Sequence, residues 1–179
     1  MVERVRDRRL VIWCIAMLCA IGFMGCDTIS EELPTYDETS IVKVGDVAPQ
    51  FEIQSIDNQT LTLPDNEPSL LILFSPLCPD CKALLDELHA SLDAGVLLPK
   101  IIAIAREGSA EELREYRNKN GYFIDMAEDA EKSVYYQYAT MYVPRCYLID
   151  CQHVVRYMTY EFTAGDVAKI VNEYATLEL

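Results

Sequence analysis

Apolar positions along this chain follow three patterns, and each predicts a different kind of element. Short unbroken runs are the first. Leu70-Leu71-Ile72-Leu73-Phe74 and Ile101-Ile102-Ala103-Ile104-Ala105 have the length of strands buried on both faces. Helical spacing is the second. Ala83, Leu84, Leu85, Leu88 and Leu92 recur at that period, with Asp86, Glu87 and His89 between them, so a core strand hands over to a helix across Ser75 to Cys81. Alternation is the third. Thr60-Leu61-Thr62-Leu63 reads as a half-buried strand that returns from Phe51–Gln54 across the polar turn Ser55 to Gln59.

The remaining chain extends this alternation of strands and helices. Ser109 with Glu112 three residues later is a capping box, predicting a helix over Ala110 to Lys119 that Asn120-Gly121 stops. Tyr122 to Met126 reads as a short strand and Glu128 to Tyr138 as a helix with Val134, Tyr135 and Tyr138 on one face. Pro144 heads a strand through Ile149, Cys151-Gln152-His153 is a turn, Val154 to Tyr160 returns, and Ala164 to Tyr174 is a closing helix. Strands alternating with helices, then a terminal hairpin, predict an α/β sandwich: a mixed central sheet flanked by helices, with an N-terminal hairpin and a central helix–strand insertion.

Length and charge sharpen the organisation. The chain has 179 residues, enough for one domain with a sizeable core. Arg4, Arg6, Arg8 and Arg9 form a basic head, and Leu10 to Met24 is apolar throughout. That stretch is shorter than the roughly 20 residues of a membrane span, so residues 1–26 read as a targeting segment outside the fold. Residues 27–43 read as a flexible acidic tether and residues 44–179 as the domain. The formal charge is −14, and removing residues 1–26 takes four arginines and two acids with it, leaving −16. Such a surface repels phosphate backbones, so nucleic acid is excluded as a partner.

The candidate chemistry sits at the strand-to-helix turn, in Cys78-Pro79-Asp80-Cys81. A helix N-terminus aims unsatisfied amides and a positive dipole end at the first sulfur, which favours the thiolate, the form that attacks a disulfide. Pro79 suits the first helical position because its missing N–H has no partner to lose. Asp80 places a negative charge between the sulfurs and offsets part of the helix effect, so a moderately reducing pair is expected. Two plainer readings compete. A CxxC holds Zn²⁺ where two further ligands exist, and no second CxxC or Cys/His pair is present; it also serves as an inert structural disulfide.

Beyond these residues the chain resembles known families in two places. Phe23-Met24-Gly25-Cys26 resembles the lipobox of bacterial lipoproteins, departing from its pattern at Phe23 and Met24. The resemblance implies acylation of Cys26 and removal of the preceding residues; an uncleaved N-terminal anchor is the alternative. Residues 44 to 174 are identified as similar to the thioredoxin superfamily, in its TlpA/ResA-type branch related to the AhpC/TSA redoxins. Gly45-Asp46 with Ala48-Pro49 and Phe51, the strand–turn–CxxC of Leu71 to Cys81, and Val143-Pro144 before Tyr147-Leu148-Ile149-Asp150 carry that resemblance. The spacing of Cys78 and Pro144 leaves room for the helix–strand insertion of this branch.

The resemblance implies a thioredoxin-like sandwich and a membrane-tethered thiol–disulfide oxidoreductase of the cell envelope, lipid-anchored and facing the periplasm or extracytoplasmic space. Cys78 is implied as the attacking thiolate and Cys81 as the resolving thiol. Pro144 is implied to be cis, with Val143 offering backbone to an incoming peptide; Pro79 and Asp80 support the site. Its partners would be cysteine-containing envelope proteins or a membrane thiol reductant, with no cofactor and no metal. Two departures stand out. The acid that thioredoxins bury on the core strand is replaced by Ile72, and the Glu and Pro that follow the CxxC in the branch are replaced by Leu84 and Asp86. Cys146 and Cys151 lie five residues apart, ~16 Å if extended and beyond the ~7 Å Cα limit of a disulfide, so they are expected not to bridge. Cys146 reads as a buried thiol acting as a small hydrophobe, and His89 and His153 as surface residues. Tyr135, Tyr136, Tyr138, Tyr142 and Tyr147 read as core before groove. Alternative functions are a peroxiredoxin-like peroxidase, a copper-binding domain of the Sco type and a non-catalytic accessory domain. Leu71 replaces the proline of the peroxidase motif, and no CxxxC is present at Cys78.

Overall fold

The two unbroken apolar runs become the middle of a sheet. The computed structural model describes residues 33–177, so Cys26, the targeting segment and the tether as far as residue 32 lie outside the described residues. In chain order the strands are β1 (Ile53–Gln54), β2 (Thr60–Leu61), β3 (Ser69–Phe74), β4 (Lys100–Ala105), β5 (Asp125–Glu128), β6 (Arg145–Ile149) and β7 (Val155–Thr159). The helices are α1 (Pro79–Asp93), α2 (Ala110–Asn120), α3 (Tyr135–Tyr138) and α4 (Asp166–Leu177). β1 and β2 form a small antiparallel pair, and the others a five-stranded sheet in the order β5-β4-β3-β6-β7. The β3–β4 and β4–β5 pairs are parallel; β3–β6 and β6–β7 are antiparallel. A mixed sheet with a terminal hairpin is the predicted architecture.

All six residues of β3 are buried, and the pleat sends them alternately to two cores. Leu70, Ile72 and Phe74 pack with Cys81, Leu84, Leu85 and Leu88 of α1, Leu113 of α2 and Ile170 of α4. Leu71 and Leu73 pack with Phe51, Leu61 and Leu63 around the small hairpin and with Tyr135, Tyr138 and Tyr147. Both faces are covered, which is why β3 and β4 show no alternation in sequence. Truncating Leu84 or Leu88 to Ala at this interface costs about 2–5 kcal/mol on general grounds.

The helix ends follow the local chemistry. Ser109 Oγ accepts from the Glu112 amide at 3.3 Å, and the Glu112 carboxylate accepts from the Ser109 amide at 2.8 Å, completing the capping box. Gly121 closes α2 at φ 71°, a left-handed position that glycine takes without a Cβ clash.

Three expectations need correction. The strands expected over 51–54 and 60–63 pair only at Ile53–Gln54 and Thr60–Leu61; Phe51 and Leu63 are buried by the core instead of by pairing. The short strand lies at Asp125–Glu128 instead of 122–126, and the helix expected from Glu128 shrinks to Tyr135–Tyr138. Asp129 is the cause. Its carboxylate accepts from the amides of Ser133, Val134 and Tyr135 at 2.8, 3.1 and 2.8 Å, holding a loop where helical hydrogen bonds would otherwise run.

The third correction concerns the tether. Its last part, Pro34 to Lys43, lies on the domain. The Ile41 and Val42 amides donate to Tyr138 O at 2.9 and 3.2 Å, and the Thr140 amide donates to Thr39 O at 2.9 Å. Thr39 and Val42 are buried. We call this segment the strap.

Candidate active site

The site is assembled from the ends of two antiparallel neighbours, β3 and β6. After β3 the chain turns on Ser75, whose Oγ accepts from the Leu77 amide at 3.1 Å and whose carbonyl accepts from the Cys78 amide at 3.2 Å. Cys78 is then the N-cap of α1, in extended conformation, and its Sγ accepts from the Cys81 amide at 3.4 Å. The amide left over at the start of a helix is thus spent on sulfur. Pro79 occupies the first helical turn and Asp80 stands exposed beside it.

The two thiols differ sharply. Cys78 is partly exposed, whereas Cys81 is fully buried against the α1 core, and both are free thiols. Burial, followed by the contact with Cys78, pushes the Cys81 thiol well above its ordinary pKa.

Leu73 pairs with Arg145, so the loop entering β6 ends next to the start of α1. The Val143–Pro144 peptide bond there is cis. Cys78 Sγ donates to Val143 O at 3.7 Å, placing the backbone expected to meet a peptide directly against the sulfur. The structure therefore brings Cys78, Cys81, Val143 and Pro144 together, with Pro79 and Asp80 on the rim.

The replacements of the family acids are also placed. Ile72 is buried and pairs across the sheet with Cys146; Leu84 is buried in the helix core. Burial pushes the Asp86 carboxyl up, but hydrogen bonds from Lys82 and Tyr122 outweigh it and hold the carboxyl below its usual range. Tyr122 Oη donates to Asp86 at 2.5 Å. None of the three gives Cys81 a carboxyl poised to accept a proton. Cys146 and Cys151 are unbridged, and burial pushes the Cys146 thiol well up. His153 is pinned between Gln50 and Pro64 O, each at 2.9 Å. Tyr135, Tyr138 and Tyr147 are core residues, as expected, and Tyr142 lies on the cis-proline loop.

Two neighbours were not singled out from the sequence. One is Arg145, fully buried immediately after Pro144; an arginine following a strand-heading proline gives no signal of burial. The other is Tyr36 of the strap, which the tether reading placed outside the domain. Beside the Ser75 turn, a cavity of about 420 Å³ is lined by Pro76, Leu77, Gly108 and Tyr116, with Glu107 and Glu115 at its edge.

Comparison with known proteins identifies the family and the fold. The model of the AhpC/TSA family matches residues 44–158. The chain belongs to the AhpC/TSA family. No curated protein matches this AhpC/TSA chain. Among solved structures, it is similar to a proposed protein disulfide isomerase from Bacteroides thetaiotaomicron, with 20% identity and a TM-score of 0.69 over 78% of this chain and 92% of that one. It is similar to the peroxidoxin BcpB from Mycobacterium tuberculosis, with 14% identity and a TM-score of 0.65 over 76% and 98%. A secreted disulfide oxidoreductase of the same organism, homologous to DsbE of E. coli, follows with 16% identity and a TM-score of 0.60 over 72% and 96%. At these identities the likeness establishes a thioredoxin-like fold for this family member.

Proposed function

We propose that this protein is a thiol–disulfide oxidoreductase that exchanges disulfides with cysteine-containing proteins of the cell envelope, to which an N-terminal lipid on Cys26 or an uncleaved anchor holds it. The observation that carries the reading is a pair of thiols of unequal exposure, Cys78 at the cap of α1 and Cys81 buried behind it, facing the cis Val143–Pro144 backbone.

In the proposed reaction the Cys78 thiolate attacks one sulfur of a substrate disulfide, and the other sulfur leaves as a thiolate. Cys81 then loses its proton to water and attacks Cys78 Sγ, forming the Cys78–Cys81 disulfide and releasing the second substrate thiol. The substrate gains two electrons; an envelope thiol reductant restores the pair. Val143 O and Pro144 shape the backbone approach of the substrate, and Pro79 and Asp80 set the start of the helix and the local charge. Among the described residues no helix is long and apolar enough to cross a membrane, so an anchor would be supplied by residues 1–26.

The test is the reduction potential of the pair, by equilibration in thiol/disulfide buffers with mass-tag readout. A mature domain without residues 1–26 has no Trp, since Trp13 is the single one. A reversible two-electron transition that Cys78→Ser abolishes is expected. A pair that never forms a disulfide, or a wild-type protein that consumes peroxide faster than disulfides, would overturn the reading.

A further inference from the structure

We propose that Tyr36, carried to the site by the strap, is a substrate-binding residue, and that the segment it receives is an extended, cysteine-containing stretch with basic residues flanking the cysteine. The proposal rests on the thiol–disulfide reading above.

A buried cation holds the strap in place. Arg145 is fully buried and has no salt bridge among the described residues. Its Nη1 donates to Tyr36 O at 3.2 Å and to Ser40 Oγ at 2.5 Å; its Nη2 donates to Thr39 Oγ1 at 2.6 Å and to Met141 O at 2.8 Å. Three of these acceptors belong to the strap and one to the loop before Pro144. Burying a guanidinium without a carboxylate is expensive; here neutral oxygens that join strap to loop take both Nη groups, while Nε has no partner among the described residues.

The aromatic contacts continue the same junction. The Tyr36 ring lies 4.6 Å from Tyr142 and 5.5 Å from Tyr160, with the Arg145 guanidinium 5.4 Å from Tyr36 and 5.8 Å from Tyr160. Tyr142 is fixed at both ends: its Oη donates to Pro34 O at 2.9 Å, and its carbonyl accepts from Tyr135 Oη at 2.8 Å. The residue after it is Val143, whose carbonyl touches Cys78. A continuous path of contacts thus runs from the redox sulfur through Val143 and Tyr142 to Tyr36.

What this surface offers is a phenol and negative charge. Among the described residues the Tyr36 hydroxyl has no protein partner, yet it is not buried. Burial and then Glu161 push its pKa up, Arg145 opposes them, and Asp80 and Cys78 act in the same direction as Glu161. Among the described residues, the cation over the Tyr36 ring, Arg145, is buried, while Asp80, two residues beyond Cys78, and Glu161, next to the Tyr160 that stacks on Tyr36, are exposed carboxylates. An incoming Lys or Arg gains Coulombic attraction from Asp80 and Glu161 and a phenol oxygen that accepts a hydrogen bond from it. The chain's charge of −14 works in the same direction.

The test compares two peptide disulfides that differ only in flanking Lys or Glu, with hydroxyethyl disulfide as a small reporter. Full-length protein should prefer the Lys-flanked peptide by about 10-fold in kcat/KM, and Tyr36→Ala should cut that preference about five-fold through KM, the scale of a few exposed charge and hydrogen-bond contacts. Glu161→Gln leaves the strap's clamp untouched and should also reduce the preference. A preference that survives both substitutions overturns the proposal, as does faster peptide turnover in Tyr36→Ala, which would make the strap a cover. Wild-type protein active on hydroxyethyl disulfide but indifferent to flanking charge removes this proposal alone. Wild-type protein inert toward all three disulfides removes the oxidoreductase reading and this proposal with it.

Discussion

Asp150 shows how one side chain combines a motif position with measurable energetics. It ends the Tyr147-Leu148-Ile149-Asp150 run that helped place the chain in its family, and its carboxylate holds the β6–β7 turn. The Gln152 and Val154 amides donate to Oδ1 at 2.9 and 2.8 Å, and Arg156 Nε donates to Oδ2. Burial pushes the carboxyl up, but these donors outweigh it and hold the group below its ordinary value. A carboxyl depressed by folding stabilises the fold above its unfolded value of about 4 and loses that contribution as pH falls through the folded value. Asp150→Asn should therefore cost about 1–2 kcal/mol near pH 7 and progressively less below about pH 4. Denaturant titrations at pH 7 and pH 3 check this, and an equal gap at both values would refute it. Residues of this kind are legible because their partners are two to six positions away, as with Cys78 and Cys81. Arg145 is not legible, because three of the four oxygens it donates to lie more than a hundred residues earlier, at Tyr36, Thr39 and Ser40.

Elements were legible wherever one pattern ran unbroken. After their first residues, Ser69 and Lys100, β3 and β4 are apolar because both faces are covered, and α1 shows helical spacing because only one of its faces is buried. The α2 capping box lies wholly within four residues. The stretch from Glu128 to Tyr138 failed for a reason that apolar spacing does not encode. Val134, Tyr135 and Tyr138 are buried as a helical face would be, yet Asp129 takes three backbone amides and shortens the helix to one turn. Asp129→Ala should release those amides, two of them on the buried residues Val134 and Tyr135, costing about 2–3 kcal/mol. The loosening should reach the redox site, since Tyr135 Oη holds the Tyr142 carbonyl beside Val143. Hydrogen exchange should then quicken at Ser133, Val134 and Tyr135 and also in the 139–143 loop. Faster exchange at the first three alone would show that α3 does not brace the cis-proline loop.

For the whole molecule, family match and folded unit have different limits. The AhpC/TSA match covers residues 44–158, whereas the packed unit runs from Pro34 through α4. The sequence places the domain start at Val44, because the acidic, proline-containing stretch before it lacks apolar periodicity. The strap has no such period to show: it contributes single buried side chains, Thr39 and Val42, and backbone oxygens. A chain cut at residue 44 would remove three of the four acceptors of the Arg145 guanidinium and uncover Tyr138 O, which the Ile41 and Val42 amides now satisfy. Depriving a buried charge of its partners typically costs about 3–5 kcal/mol, a large part of the ~5–15 kcal/mol by which a domain is stable. A chain beginning at residue 44 should therefore unfold at clearly lower denaturant than one beginning at residue 34, by about 1–3 M urea. Arg145→Met should recover part of the loss in the shorter chain, because it removes the stranded charge, while destabilising the longer one. Coincident midpoints for the two chains would show that the strap rests on the surface without supporting it. Equal effects of Arg145→Met in both would show that the guanidinium does not depend on the strap.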